Sequence, residues 1–115
     1  MPLSVLDGPT IAEGESLSDG IDCSSGEIVR ITVPQEFTPA NLTLQASSDG
    51  NFYNDLYGAN GDEVTIVARP NSTIIISEKW ARAIAWLKLR SGTRDHPVDQ
   101  KVTTRFAIAV ETAAP

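Results

Sequence analysis

The chain has 115 residues, 41% of them hydrophobic and 21% charged, a composition typical of one globular domain. Asp and Glu total 15 against 9 Lys and Arg, so the net charge is -6. This balance argues against nucleic acids and membrane surfaces as partners, because both attract clustered positive charge. No apolar run is long enough for a membrane helix and no secretory signal is visible, so we expect synthesis in the cytosol.

The N-terminal segment, residues 1–18, is predicted to be an extended arm outside the folded domain. Pro and Gly interrupt it at four positions, which makes it a poor independent helix or hairpin strand. An extended segment of this kind can lie along a neighbouring subunit and become ordered on contact. Four apolar side chains are the candidates for that contact: Leu3, Val5, Leu6 and Ile11.

Beyond the arm, apolar and polar residues alternate with a period of two. The first run, residues 27–33, places Val29, Ile31 and Val33 on one face and ends at a proline. The second run, residues 41–47, leads into an Asp-Gly pair, which is a strong signal for a hairpin turn. These runs predict two strands with one apolar face each.

The strand that returns from this turn is predicted over residues 52–57, with Phe52, Asn54 and Leu56 on one face. Residues 63–68 resume the alternation after an Asn-Gly turn, and residues 73–76 are predicted to be a short strand buried on both faces. The last strand, residues 102–110, alternates over five inward positions: Val102, Thr104, Phe106, Ile108 and Val110.

Residues 77–89 fit two interpretations. Their apolar residues lie at helical spacing, so the segment fits a single helix that begins at Ser77. We favour one helical turn over residues 78–83 followed by a strand over residues 84–91, because that strand alternates and ends at a Ser-Gly turn.

The number and spacing of these strands predict an all-β fold, a single antiparallel β-sandwich of the jelly-roll type. We expect the sandwich to span residues 19–111 and residues 112–115 to form a C-terminal tail.

No residue pattern in the sequence indicates catalysis. The one histidine, His96, lies in a predicted surface loop, and no Ser or Cys occupies a recognisable nucleophile elbow. The single cysteine, Cys23, cannot form an internal disulfide and is interpreted as a small residue near the end of a strand. We therefore expect a non-enzymatic protein with no cofactor.

Oxygen-bearing side chains are concentrated in and beside the predicted turns: Asp49, Asn51, Asn54, Asp55, Asn60, Asp62 and Glu63. Calcium takes about six to eight oxygen ligands, which such loops can supply. Their spacing does not follow that of an EF-hand loop, and Asp and Asn are favoured in turns for their local hydrogen bonds. The favoured interpretation is turn chemistry without a metal ion.

Aromatic side chains raise the question of sugar binding, because aromatic rings stack on pyranose faces. Tyr53, Trp80, Trp86 and Arg90 are the residues that such a glycan site would use. The alternative is that both tryptophans belong to the core or to a subunit contact, where aromatic residues are enriched. We favour this alternative.

Three blocks, in this order, resemble small virion proteins of tailed bacteriophages and gene transfer agents, of the head spike or decoration type. They are TIAEGESLS at residues 10–18, LTLQASSDGNFYNDLY at residues 42–57 and WLKLRSGT at residues 86–93. The second and third blocks are also similar to discoidin-like, galactose-binding jelly rolls. The chain departs from those domains in lacking the cysteine pair that often joins their strands.

The resemblance implies a virion structural protein on the capsid surface, as head decoration or at the base of a spike or fibre. Its partners would be capsid, spike or fibre subunits or further copies of the chain. Its location would be the virion, after synthesis in the bacterial cytoplasm. The rival hypothesis is a carbohydrate-binding module that contacts host surface glycan. The N-terminal arm favours the virion protein, because an isolated sugar module has no need of such an arm.

Overall fold

The computed structural model describes residues 2–112, which form nine strands and one 3-10 helical turn. The elements in chain order are β1 Leu3–Ile11, β2 Ile21–Asp22, β3 Gly26–Val33, β4 Leu42–Ser47, β5 Asn54–Asp55, β6 Thr65–Ile66, β7 Ser72–Ile75, the 3-10 turn Lys79–Ala83, β8 Trp86–Ser91 and β9 Thr104–Thr112. Met1 and residues 113–115, which include most of the predicted tail, lie outside the described residues.

The strands form two sheets in which every pairing is antiparallel. The first sheet has the order β1-β9-β3-β7 and the second has the order β2-β8-β4-β5, with β6 also paired to β4. Pairing thus joins β1 to β9, β2 to β8 and β3 to β7, as in a long hairpin that has been rolled up. This arrangement is a jelly roll. The predicted all-β sandwich is confirmed.

The core lies between the sheets and consists of the inward-facing residues of their longest strands. β9 supplies Phe106, Ile108 and Val110, and the ring of Phe106 meets that of Phe37 edge to face at 5.7 Å between centroids. Leu87 and Leu89 of β8 are fully buried on the opposite side. The predicted inward face of β9 is buried from Thr104 to Val110, whereas Val102 lies before the strand and is exposed. On the opposite face the alternation is incomplete, because Arg90 of β8 and Ala109 of β9 are also buried.

The N-terminal segment is part of the sandwich, so the prediction that residues 1–18 form a separate arm is wrong. Leu3–Ile11 pairs with β9 along nearly its whole length. The pairing register shifts between Asp7 and Thr10, and this bulge accommodates Gly8 and Pro9, joined by a cis peptide bond. A bulge lets an edge strand contain residues that would break a regular ladder.

The four apolar residues assigned to the arm therefore have different surroundings. Ile11 is fully buried in the core, and Leu6 is partly buried against it. Leu3 and Val5 point to the outer face and are 52% and 60% exposed. Of the four side chains, only Leu3 and Val5 are exposed enough to contact a partner.

A second bulge changes which residues of β3 face the core. The register shifts between Ile28 and Arg30, so Ile28 is buried and Val29 is only half-buried. The predicted inward face was correct at Ile31 and Val33 and wrong at Val29. An extra residue in a strand reverses the facing of everything on one side of it.

The segment from Phe52 to Tyr57 is mostly irregular, and only Asn54–Asp55 forms a strand. Phe52, which was predicted to share an inward face, is 79% exposed. The Asp49 carboxylate accepts hydrogen bonds from the backbone N–H groups of Asn51 and Phe52, at 2.8 and 3.1 Å. This capped turn holds Phe52 away from the sheet.

The strand β7 is buried on one face only, whereas burial on both faces was predicted. Ile74 is partly buried against the core, and Ile75 is 71% exposed. The reason is that β7 is an edge strand of the first sheet, and no other strand of residues 2–112 covers its outer face. The predicted helical turn over residues 78–83 is confirmed, as a 3-10 turn over Lys79–Ala83 followed by β8.

Candidate functional site

The outer face of the second sheet holds a cluster of charged residues around Arg90. Arg90 is buried, and its Nη1 and Nη2 atoms lie 2.9 and 2.5 Å from Oδ1 of Asp55. Oε2 of Glu63 lies 3.7 Å from Nη2. The exposed Arg94 joins the cluster, because its Nε lies 3.4 Å from Oδ2 of Asp55 and its backbone N–H donates to Glu63. Arg90 is therefore engaged in holding the loops that follow β4 onto the sheet.

Two of the aromatic residues proposed for a glycan site lie on this same face, but their rings are covered. The ammonium group of Lys88 lies 4.6 Å from the centre of the Tyr53 ring, in cation–π geometry. Trp86 packs under the hairpin turn, since a Cβ added to Gly50 would lie 3.0 Å from its Cε2 atom. Both residues are half-buried.

Trp80 lies in a different part of the molecule. It is partly buried against the core and lines a groove between β6 and β7. The structure therefore does not bring Tyr53, Trp80, Trp86 and Arg90 together, and it confirms the favoured interpretation of Trp80 as a core contact.

A small open cavity lies beside the hairpin turn that follows β4. Its volume is about 280 Å³, and its lining includes Ser47, Asp49, Phe52 and Asn54. The hydrogen bonds from Asn51 and Phe52 hold the pKa of the Asp49 carboxyl below its usual value, with a further contribution from the Ser47 hydroxyl. Asp49 thus acts as a turn residue, as predicted.

Exposed apolar side chains lie at both edges of the first sheet. Leu3 and Val5 are on β1, and Ile75 is on β7 at the opposite edge. Next to Ile75, Val67 is 70% exposed, and the two flank the groove that Trp80 lines. This groove has a volume of about 280 Å³. Large exposed apolar residues in contiguous positions are typical of interaction surfaces.

Sequence reasoning missed Phe52 and Ile75 as exposed residues. Phe52 was assigned to a strand face by alternation and Ile75 to a strand buried on both faces, and neither pattern distinguishes an edge strand from a central one. The short length of the β7 pattern, four apolar-rich residues between turn signals, was the available indication of an edge.

The two residues with reactive side chains lie apart from these surfaces. Cys23 is buried, and desolvation, with a further contribution from the charge of Asp22, raises the pKa of its thiol to about 12. His96 is exposed in a loop, as predicted. Among residues 2–112, no group of three or more His, Cys, Asp or Glu side chains is arranged to hold a metal ion.

In the same residues no helix is long and apolar enough to cross a membrane. No protein family model, curated protein or solved structure matches the chain. The observations that bear on function are therefore the two apolar edges, the cavity beside Phe52 and the three sequence blocks.

Proposed function

We propose that the chain is a non-enzymatic structural subunit of a phage or phage-like particle, acting through protein–protein contacts. The apolar side chains on the edges of the first sheet carry this proposal. An exposed edge strand presents unpaired backbone groups, and proteins usually protect it with charged residues or proline. The first part of β1, Leu3–Leu6, and the whole of β7, Ser72–Ile75, contain neither, whereas the second part of β1 is protected by Asp7, Pro9 and the bulge. This supports a role in which the unprotected parts of both edges are covered by other subunits.

The virion setting is supported by the three blocks at residues 10–18, 42–57 and 86–93, which resemble head spike or decoration proteins. A jelly roll is compatible with this setting, since capsid domains use it, but lectins use it as well. The fold therefore does not distinguish a virion protein from a carbohydrate-binding module. The distinction depends on the exposed surfaces.

Particle association tests the proposal directly. The tagged chain would be expressed in cells that produce the particle, and the particles would be separated from free protein on a density gradient. We expect the chain to sediment with the particle band and to be detected there by mass spectrometry. Lysine at Val5 should reduce its occupancy at least tenfold, whereas lysine at Phe52 should not. A chain found only at the top of the gradient would contradict the proposal.

A carbohydrate-binding module remains the second candidate, and the cavity beside Phe52 favours it. An exposed aromatic ring next to serine, aspartate and asparagine side chains is a common arrangement for holding one sugar ring. The site would then use Phe52, Asp49 and Asn54 in place of Trp80 and Arg90. Binding to immobilised glycans that is lost in Phe52→Ala and kept in Val5→Lys would support this candidate over the first.

A further inference from the structure

We infer that Asn60 is a site of spontaneous covalent modification, at which deamidation produces aspartate or isoaspartate in the folded chain. Asn60 is followed by Gly61, and no other asparagine of the chain precedes a glycine. The inference goes beyond the proposed function and does not depend on it, because the reaction needs water as its only co-reactant.

The turn that contains Asn60 leaves the reacting groups open to water. Asn60 and Gly61 are both exposed, and a Cβ added to Gly61 would meet no atom outside the adjacent residues within 4 Å. A glycine carries no side chain that could shield its backbone nitrogen from the preceding residue. Solvent therefore reaches the Gly61 nitrogen, which is the attacking atom, and the side-chain carbon of Asn60, which it attacks.

Hydrogen bonds hold the Asn60 side chain towards the backbone that follows it. Its Oδ1 accepts from the backbone N–H of Asp62 at 3.1 Å, and its Nδ2 donates to Oδ2 of Asp62 at 3.1 Å. A bond from a side chain to the backbone two positions further on folds that side chain over the intervening peptide group. The amide of Asn60 is therefore kept beside the Gly61 nitrogen.

One hydrogen bond opposes the reaction. The N–H group of Gly61 donates to the carbonyl oxygen of Gly58 at 3.0 Å, and this bond must open before the nitrogen can attack. Backbone bonds at exposed turns open readily, because few buried contacts hold them. We therefore expect the folded chain to react more slowly than a short peptide, by no more than about tenfold.

The reaction proceeds through a cyclic imide. The Gly61 nitrogen gives its proton to solvent and forms a bond to Cγ of Asn60. The bond from Cγ to Nδ2 breaks, and this nitrogen takes up a proton from solvent and leaves as ammonia. Water then opens the ring: hydrolysis of the new bond gives aspartate, and hydrolysis of the bond to the main-chain carbonyl carbon gives isoaspartate. Neither step involves an oxidant or a reductant.

The pair formed by Asp49 and Gly50 also lies in a turn but lacks these conditions. Asp-Gly pairs form the same imide from the protonated acid, because an ionised carboxylate is a poor electrophile. Hydrogen bonds from the backbone N–H groups of Asn51 and Phe52 hold the pKa of the Asp49 carboxyl below its usual value, which favours the ionised form. The N–H group of Gly50 donates to Oγ of Ser47 at 2.9 Å. Asp49 should therefore stay unmodified.

Modification would loosen the loop that carries Glu63. Either product adds one negative charge, beside Asp62 and Glu63, to a chain whose net charge is -6. Isoaspartate also lengthens the main chain by one methylene group. The turn is closed by a bond of 2.8 Å from the N–H group of Gly58 to the carbonyl oxygen of Asp62. We expect that bond to weaken, and with it the contact of Glu63 with Arg90.

The test incubates the folded chain in mildly alkaline buffer and follows it by peptide mapping and mass spectrometry. We expect a mass increase of about 1 Da at Asn60, while the other asparagines stay unchanged. Methylation by an isoaspartate methyltransferase identifies the isoaspartate product. A synthetic peptide that spans residues 57–64 gives the rate without the turn. Asn60→Gln is the matched control and should stay unmodified, because its longer side chain would have to close a larger ring.

Two results would overturn the inference. One is a folded chain that keeps Asn60 intact after the peptide has been fully converted. The other is equal conversion of another asparagine, which would show that the turn does not select the site. The loosening of the turn is tested by amide hydrogen exchange at Gly58, which should be faster in the isoaspartate product than in Asn60→Asp, where only the charge is added. Equal exchange rates would refute that consequence.

Discussion

At the residue scale, the buried guanidinium group of Arg90 holds β5 and the loop after it against the second sheet. Its Nη atoms are bonded to Asp55, which also accepts a hydrogen bond from Gln45 at 3.2 Å. Within the described residues its Nε has no hydrogen-bond partner. A buried charge that loses its counter-ion is expensive, even where the intact pair adds little net stability.

Replacing Asp55 with Asn should therefore lower the free energy of unfolding by about 2–3 kcal/mol, because Arg90 would keep only the more distant Glu63. The matched control is Asp7→Asn, which breaks the exposed ion pair with Arg105 at 3.4 Å and should cost less than about 0.5 kcal/mol. Urea unfolding followed by tryptophan fluorescence measures both. Equal effects would show that Arg90 does not depend on Asp55.

The second prediction at this scale concerns the reactivity of the Cys23 thiol. It is buried and its pKa is raised to about 12, so it should not react with Ellman's reagent at pH 8 until the chain is unfolded in urea. The unfolded thiol ionises near 9.0. The contribution of Cys23 to stability should thus be constant below this pH and be lost as the pH rises towards 12. Cys23→Ala should show a smaller fall, and rapid labelling of the folded chain would contradict the prediction.

At the scale of elements, β1 is the strand whose role differs most from expectation. Ile11 is fully buried, so Ile11→Ala should lower the free energy of unfolding by about 2–4 kcal/mol. Leu3→Ala removes an exposed side chain of the same strand and should cost less than about 1 kcal/mol. Deleting residues 2–11 should unfold the protein, as measured by circular dichroism. A folded deletion variant would restore the interpretation of this segment as an arm.

The predicted elements were accurate where strands are regular and central. The inward residues predicted for β8 and β9, among them Leu89, Phe106 and Ile108, are buried, because both strands lie between two partner strands and neither contains the extra residue of a bulge. The bulges at Gly8–Pro9 and between Ile28 and Arg30 reverse that relation, and nothing in the local pattern marks where the extra residue falls. Their position depends on the partner strand, which is distant in sequence.

The candidate surfaces were predictable only in part for a related reason. Leu3 and Val5 were identified as contact residues because apolar residues in a segment broken by Pro and Gly are conspicuous. Ile75 was not, because its exposure results from the place of β7 at the end of a sheet. Arg90 was named only for the glycan site of the rival hypothesis, whereas its partners Asp55 and Glu63 reach it from β5 and from the loop after β5. No local sequence pattern predicts that these three charged side chains contact one another.

At the scale of the whole molecule, the central position of β9 in the first sheet makes the fold depend on this strand. It lies between β1 and β3, and its removal would leave both without a partner on that side. A chain that ends after residue 103 should therefore show no cooperative unfolding transition and a disordered circular dichroism spectrum. A chain that ends after residue 112 is the matched control and should unfold cooperatively. A folded shorter chain would contradict the central role of β9.

The same position has a consequence for how the protein is made. On the ribosome the strands emerge in order, and β1 must wait for the last strand before it can pair. Until residues 104–112 have emerged, β1 has no strand to pair with, so the buried side of Ile11 stays uncovered while the rest of the sandwich is synthesised. Folding of the sandwich cannot be completed before β9 has left the ribosome, and until then the unpaired β1 is open to binding by chaperones.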